Sequence, residues 1–163
     1  MQKVLIADKD PTTRAFYAQM VSDLGHIPLT CEDGIAVLDC ASANHDVDLI
    51  ITDIDLPGAW GEQLIEVVRG IDRLAHVPVL VVSAPRTRTE LMRLLVIGVR
   101  QWFAKPTTSE ELGAAVTACL ERSGALDLFD VEDTIPASTI PALSPATNWL
   151  FDDQAAQVAT ALG

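Results

Sequence analysis

The chain has 163 residues, 49% of them hydrophobic, and carries a formal net charge of −12. That is enough for one ordinary domain with a real core plus a modest extension, and too apolar for a disordered chain. The acidity argues against a general affinity for nucleic-acid backbone or anionic membrane.

Apolar strand-like runs alternate with helical patterns from residue 3 to about 122. The predicted strands are Val4–Ala7, Pro28–Cys31, Asp48–Thr52, Pro78–Val82 and Gln101–Ala104. The third and fourth are continuous Ile, Val and Leu runs, as expected of parallel strands covered on both faces. The first predicted helix opens with Asp10 as N-cap and Pro11 in its first turn, and Gly25 stops it. Its apolar stripe is read as Ala15, Phe16, Met20, Val21 and Leu24. The second spans Ile35–Ala43 with Asp33 as cap, the third Glu62–Ile71, and the fourth Glu90–Ile97, closed by Gly98. The fifth spans Thr108–Arg122, with Thr108 and Glu111 at capping-box spacing. Five such units imply an α/β fold, a doubly wound five-stranded parallel sheet with helices on both faces.

All 11 lysines and arginines lie at or before Arg122, and the charges beyond it are six acidic residues. Residues 1–122 are therefore read as the folded domain and 123–147 as an acidic, then proline-rich linker, with Pro136, Pro141 and Pro145. Residues 148–163 are a possible terminal helix, either a tail or the start of a further output segment. This stretch contains no cation and no helix-turn-helix pattern, so no direct DNA binding is expected. Three scattered cysteines, Cys31, Cys40 and Cys119, do not form a disulfide framework, and His26, His45 and His76 lack ligand spacing. With no signal peptide or spanning segment read from the sequence, the expected location is the cytoplasm.

The chemistry sits at the strand ends. Asp8 follows the first strand, Asp53 the third, Ser83 the fourth, and Lys105-Pro106 comes after Trp102-Phe103 of the fifth. Ligands of open α/β sheets bind outside the carboxyl ends of the strands. Two carboxylates, a hydroxyl and a lysine there make a site for accepting a phosphoryl group. A carboxylate attacks a phosphoryl group poorly unless the repulsion between two anions is neutralised, so charge placement does most of the work.

Residues 1–122 closely resemble the receiver domain of two-component response regulators. The resemblance rests on the Asp8 turn, Asp53 followed by Leu56-Pro57, Ser83-Ala84 and Lys105-Pro106, with intervals of 30 and 22 residues from Asp53 to Ser83 and from Ser83 to Lys105. It implies that Asp53 is the phosphoacceptor, Lys105 the phosphoryl-contacting lysine, Ser83 with Ala84 the switch segment and Trp102 the switch aromatic. It further implies a cis bond before Pro106 and a Mg²⁺ held by Asp8, Asp53 and the backbone carbonyl of Asp55. The implied partners are a histidine kinase or histidine phosphotransfer protein and a downstream protein target. Dimerisation is expected, if at all, through the face of the fourth helix, fifth strand and fifth helix, or through the tail. The chain is expected to be a signalling phosphoacceptor and not an independent enzyme.

Lys9 departs from the family, which carries a second acidic residue there as the direct metal ligand. Asp10 is assigned to capping, and an ammonium at position 9 cannot ligate Mg²⁺. Three readings stay open. Metal affinity is weakened while phosphorylation survives; or Lys9 pairs with Asp53 and replaces the metal in a phosphorylation-independent interaction domain; or Lys9 points to solvent and matters only by omission.

Overall fold

The computed structural model describes residues 1–58 and 61–122. The expectations for the linker 123–147 and the terminal helix 148–163 lie outside the described residues. Five strands form one parallel sheet: β1 (Lys3–Ala7), β2 (Ile27–Cys31), β3 (Val47–Thr52), β4 (Val79–Ser83) and β5 (Gln101–Ala104), in the order β2-β1-β3-β4-β5. The connecting helices are α1 (Pro11–Asp23), α2 (Gly34–Ala43), α3 (Glu62–Arg69), α4 (Arg88–Val96) and α5 (Ser109–Arg122), with a 3₁₀ turn at Asp72–Leu74.

Alternation along the strands makes two cores. Leu5, Ala7, Ile50 and Val81 face a cluster completed by Val37 of α2, Leu64, Ile65 and Val68 of α3, and Leu94 of α4. Val4, Ile6, Leu49, Ile51 and Val82 point the other way, onto Tyr17, Met20 and Val21 of α1 and Leu112 and Val116 of α5. Leu49, Ile50 and Ile51 are essentially inaccessible. Each such side chain contributes about 1.5–3 kcal/mol by leaving water, which is why the continuous apolar run was a safe marker of a central strand.

Helix ends follow their side chains. Asp10 accepts from the Thr13 N–H at 2.8 Å and Asp33 from the Ala36 N–H at 2.7 Å, as the sequence predicts. Thr108 and Glu111 reciprocate across the start of α5.

Three expectations need correction. The buried stripe of α1 is Tyr17, Met20 and Val21, whereas Ala15, Phe16 and Leu24 are exposed, Phe16 by 46% and Leu24 by 39%. The sheet covers less of this helix than its apolar residues could fill. Helix α3 ends at Arg69 rather than Ile71, because Gly70 caps it and the chain tightens into the 3₁₀ turn. Helix α4 begins two residues earlier than predicted, at Arg88, because Thr87 and Glu90 form a complete capping box.

Candidate functional site

Among the described residues the buried polar side chains are Asp8, Thr52, Asp53 and Ser83. All four lie at the carboxyl edge of the sheet, and β1 and β3 are the neighbours at which the strand order turns back on itself. Backbone bonds from adjacent strands fix this edge. The Asp53 N–H donates to the Ala7 carbonyl at 2.8 Å, the Asp8 N–H to the Cys31 carbonyl at 3.2 Å, and the Lys105 N–H to the Ser83 carbonyl at 2.8 Å. Asp8, Asp53 and Lys105 thus each continue a ladder one step beyond a strand, and Ser83 ends its own. Placement of this kind is stiffer than a free loop can offer.

The Lys105 ammonium lies 2.6 Å from Asp8 Oδ2 and 2.6 Å from Asp53 Oδ2, bridging the two buried carboxylates. The remaining oxygens accept backbone N–H groups: Asp8 Oδ1 from Asp10 at 2.9 Å, and Asp53 Oδ1 from Asp55 at 2.9 Å. Burial disfavours the ammonium, but the hydrogen bonds and charges of Asp53 and Asp8 outweigh it and hold the Lys105 pKa above its ordinary value. Beneath the site, burial pushes the Tyr17 hydroxyl up to about 12.

Ser83 is fully buried and donates to the Ala84 carbonyl at 3.1 Å, while its oxygen accepts from the Trp102 indole N–H at 3.0 Å. The bond between Lys105 and Pro106 is cis. Lys105, Ser83, Trp102, Asp8 and Asp53 are therefore brought together, and the exposed Ala84 joins them through its backbone.

The pairing of Lys9 with Asp53 is not formed. Lys9 is exposed and makes no ion pair among the described residues, because Lys105 already occupies the space between the carboxylates and the Asp8–Asp10 turn directs position 9 outward.

Two functional neighbours were not found from sequence. Arg14 of α1 donates to the Asp8 carbonyl at 2.7 Å. Arg86, in the connection from β4 to α4, forms an ion pair with the Asp55 carboxylate. The Thr87-x-x-Glu90 spacing could have flagged the start of α4, but nothing local foretells the Arg86–Asp55 contact, which joins residues 31 positions apart.

With one ammonium between them, Asp8 and Asp53 retain one uncompensated negative charge and one free lone pair on each oxygen. This hard, oxygen-only set fits a small divalent cation of the magnesium type, which keeps several waters and needs few protein ligands. Among the described residues no cluster of three or more His, Cys, Asp or Glu side chains is positioned to hold a metal. In this arrangement, with the Asp55 carboxylate paired to Arg86, the further protein ligand on offer is a backbone carbonyl, such as that of Asp55.

Residues 4–117 match the response regulator receiver domain family. The chain belongs to that family. The receiver is 31% identical over 121 residues to the chemotaxis protein CheY of Pseudomonas aeruginosa, covering 74% of this chain and 97% of that protein. It is 29% identical over 119 residues to part of the sensor histidine kinase RcsC of Escherichia coli, 73% of this chain and 12% of that one. Among solved structures, the chemotaxis response regulator CheY4 of Vibrio cholerae superposes with a TM-score of 0.69 at 25% identity, covering 74% of this chain and 99% of its own. The receiver domain of the Pseudomonas aeruginosa sensor kinase PA1611, described with a magnesium ion coordinated in its active-site cleft, shares the fold at 0.66 and 22%, over 74% and 98% of the two chains. Among the described residues no helix of the receiver is long and apolar enough to cross a membrane.

Proposed function

We propose that the receiver accepts a phosphoryl group on Asp53 from a histidine kinase or histidine phosphotransfer protein and passes the change on through Ser83 and Trp102. The observation that carries this reading is the concentration of the buried polar side chains around one acidic residue bonded to a lysine. In the transfer, an Asp53 carboxylate oxygen forms a bond to phosphorus as the phosphorus–nitrogen bond of the donor imidazole breaks, its electron pair returning to the ring. Lys105 neutralises charge on the phosphoryl oxygens, and its escape from the Asp8 bridge supplies the donor. Ser83 turns its O–H from the Ala84 carbonyl to the phosphoryl group while still accepting from Trp102, so the indole senses the change directly.

Asp8, Asp53 and the Asp55 carbonyl are the residues that would hold Mg²⁺, whose charge offsets the repulsion between carboxylate and phosphoryl group. Lys9 adds a cation at this rim instead of an acidic ligand, so Mg²⁺ binding is weaker than a two-carboxylate turn would give and phosphorylation is correspondingly less efficient. The receiver works as a signalling phosphoacceptor in the cytoplasm, not as an independent enzyme. Met92, Leu95 and Val96 leave α4 apolar and exposed, which supports contact with a downstream protein or a second copy through the α4–β5–α5 face.

Incubation with a small-molecule phosphodonor and Mg²⁺ tests the proposal. An acyl phosphate that maps to Asp53 and is lost in Asp53→Asn is the expected result. No acyl phosphate, or modification unaffected by Asp53→Asn, overturns it.

A further inference from the structure

The β4–α4 connection places a second cation beside the acceptor loop. The Arg86 side chain is only 20% exposed, pairs with Asp55 Oδ2 through one terminal nitrogen and approaches Glu90 Oε1 at 3.4 Å through the other. The Arg86 Nε is buried with no partner among the described residues. Glu90 is already committed to Thr87 through its second oxygen, at 2.8 Å from the backbone N–H and 2.7 Å from the hydroxyl. Asp55 is therefore the main anchor of the guanidinium. The backbone N–H of that same Asp55 holds Asp53 Oδ1.

From this we infer that Arg86 is a positioning residue that withholds the Asp55 carboxylate from the cation site and so lowers the affinity of the acceptor site for Mg²⁺. The inference rests on the reading of this site as one that binds Mg²⁺. Asp55 follows Asp53 by two residues and holds it through its backbone N–H, so its carboxylate adds a third negative charge beside those of Asp8 and Asp53. Lys105 compensates one charge of the first two, and Arg86 cancels the third. A guanidinium stays charged at any working pH, and here its two terminal nitrogens are divided between Asp55 and Glu90. The departure at Lys9 is thus not isolated: cations at two rims of the site both oppose a divalent ion.

The test is Mg²⁺ affinity itself, measured by calorimetry on the full chain with Arg86→Gln, Arg86→Lys and Asp55→Asn, thermal unfolding serving as the control for folding. Removing the cation and releasing the carboxylate raises affinity about three- to tenfold in Arg86→Gln, whereas Arg86→Lys, which keeps the charge and the pair, stays near wild type. The gain disappears when Arg86→Gln is combined with Asp55→Asn. Unchanged or weaker Mg²⁺ binding in Arg86→Gln overturns the inference, as does an equal gain in both backgrounds, which would mean Arg86 acts at a distance and not through Asp55. If neither wild type nor Arg86→Gln binds Mg²⁺, the inference falls, while acyl-phosphate formation at Asp53 is decided separately by the phosphodonor assay.

Discussion

Replacing Lys105 with Met exposes what the bridge does. Its ammonium is 2.6 Å from one oxygen of each of two carboxylates whose residues are 1% and 3% exposed, so those oxygens lie within about 5 Å of each other. At that separation and an effective dielectric near 20, two negative charges repel by about 3 kcal/mol. Loss of the attraction to Lys105 adds to this, and escape from burying the ammonium offsets part of it. We expect Lys105→Met to lose about 2–3 kcal/mol at pH 8, which lowers the urea midpoint by roughly 1–2 M for a domain of this size. The loss should shrink in millimolar Mg²⁺ at the same pH. It should also largely vanish in Lys105→Met combined with Asp53→Asn, which leaves one carboxylate and no repulsion. Urea titrations followed by circular dichroism, with and without Mg²⁺, measure all of this. A single variant as stable as wild type at pH 8, or a loss that neither Mg²⁺ nor Asp53→Asn relieves, would refute the charge argument and reduce Lys105 to a packing role.

Three further outcomes follow from the same contacts. Arg69→Ala removes bonds to the carbonyls of Leu74, Ala75, Val77 and Gly98 and should cost about 2–4 kcal/mol in denaturant titration, since several carbonyls lose a charged donor together. Trp102→Phe loses the indole bond to Ser83; about 1 kcal/mol of stability should go with it, and phosphodonor-dependent changes in tryptophan emission should fall away. Tyr17 is held by burial at a pKa of about 12, with Lys105 opposing and Asp8 and Asp53 assisting. The folded state thus keeps a proton that the unfolded chain releases near pH 10. Its contribution is complete below about pH 10 and is lost as pH rises toward 12, at up to about 1.4 kcal/mol per pH unit. Tyr17→Phe should flatten that part of an alkaline stability profile, and an unchanged slope would count against the assigned burial.

The legibility of this chain divides by the range of the interaction. Strand β5 coincides with its predicted bounds, and the caps at Asp10 and Asp33 function as read, because apolar runs and side-chain caps are local physics. The face of α1 was misread because which apolar residues a sheet covers depends on the packing angle: Tyr17 goes under, whereas Phe16 stays out. Asp8, Asp53, Ser83 and Lys105 could be placed together because parallel topology sends every strand end to one edge. The destination of each charge could not be read in the same way. Lys9 is adjacent to the site in sequence but turned outward, and Lys105, 97 residues from Asp8, is the cation that reaches it.

The same distinction decides how far the family pattern carries. A receiver site can be listed from four strand ends, but its affinity for a divalent cation depends on the net charge at the rim, which is set by side chains with no fixed place in the pattern. Here a lysine stands at position 9 where the family pattern has an acidic residue, and Arg86 pairs with the Asp55 carboxylate. The first change is visible in one dimension and the second only in three. If Arg86 acts as inferred, an Arg86→Gln substitution should recover part of what Lys9 removes, and Lys9→Asp should recover more because it supplies a direct ligand. With the two together, Mg²⁺ affinity should rise by close to the product of the single effects, since the residues lie on different connections and share no bond. A combined effect well below that product would show that both cations act on one carboxylate, and would move the site of control from the rim to Asp53 itself.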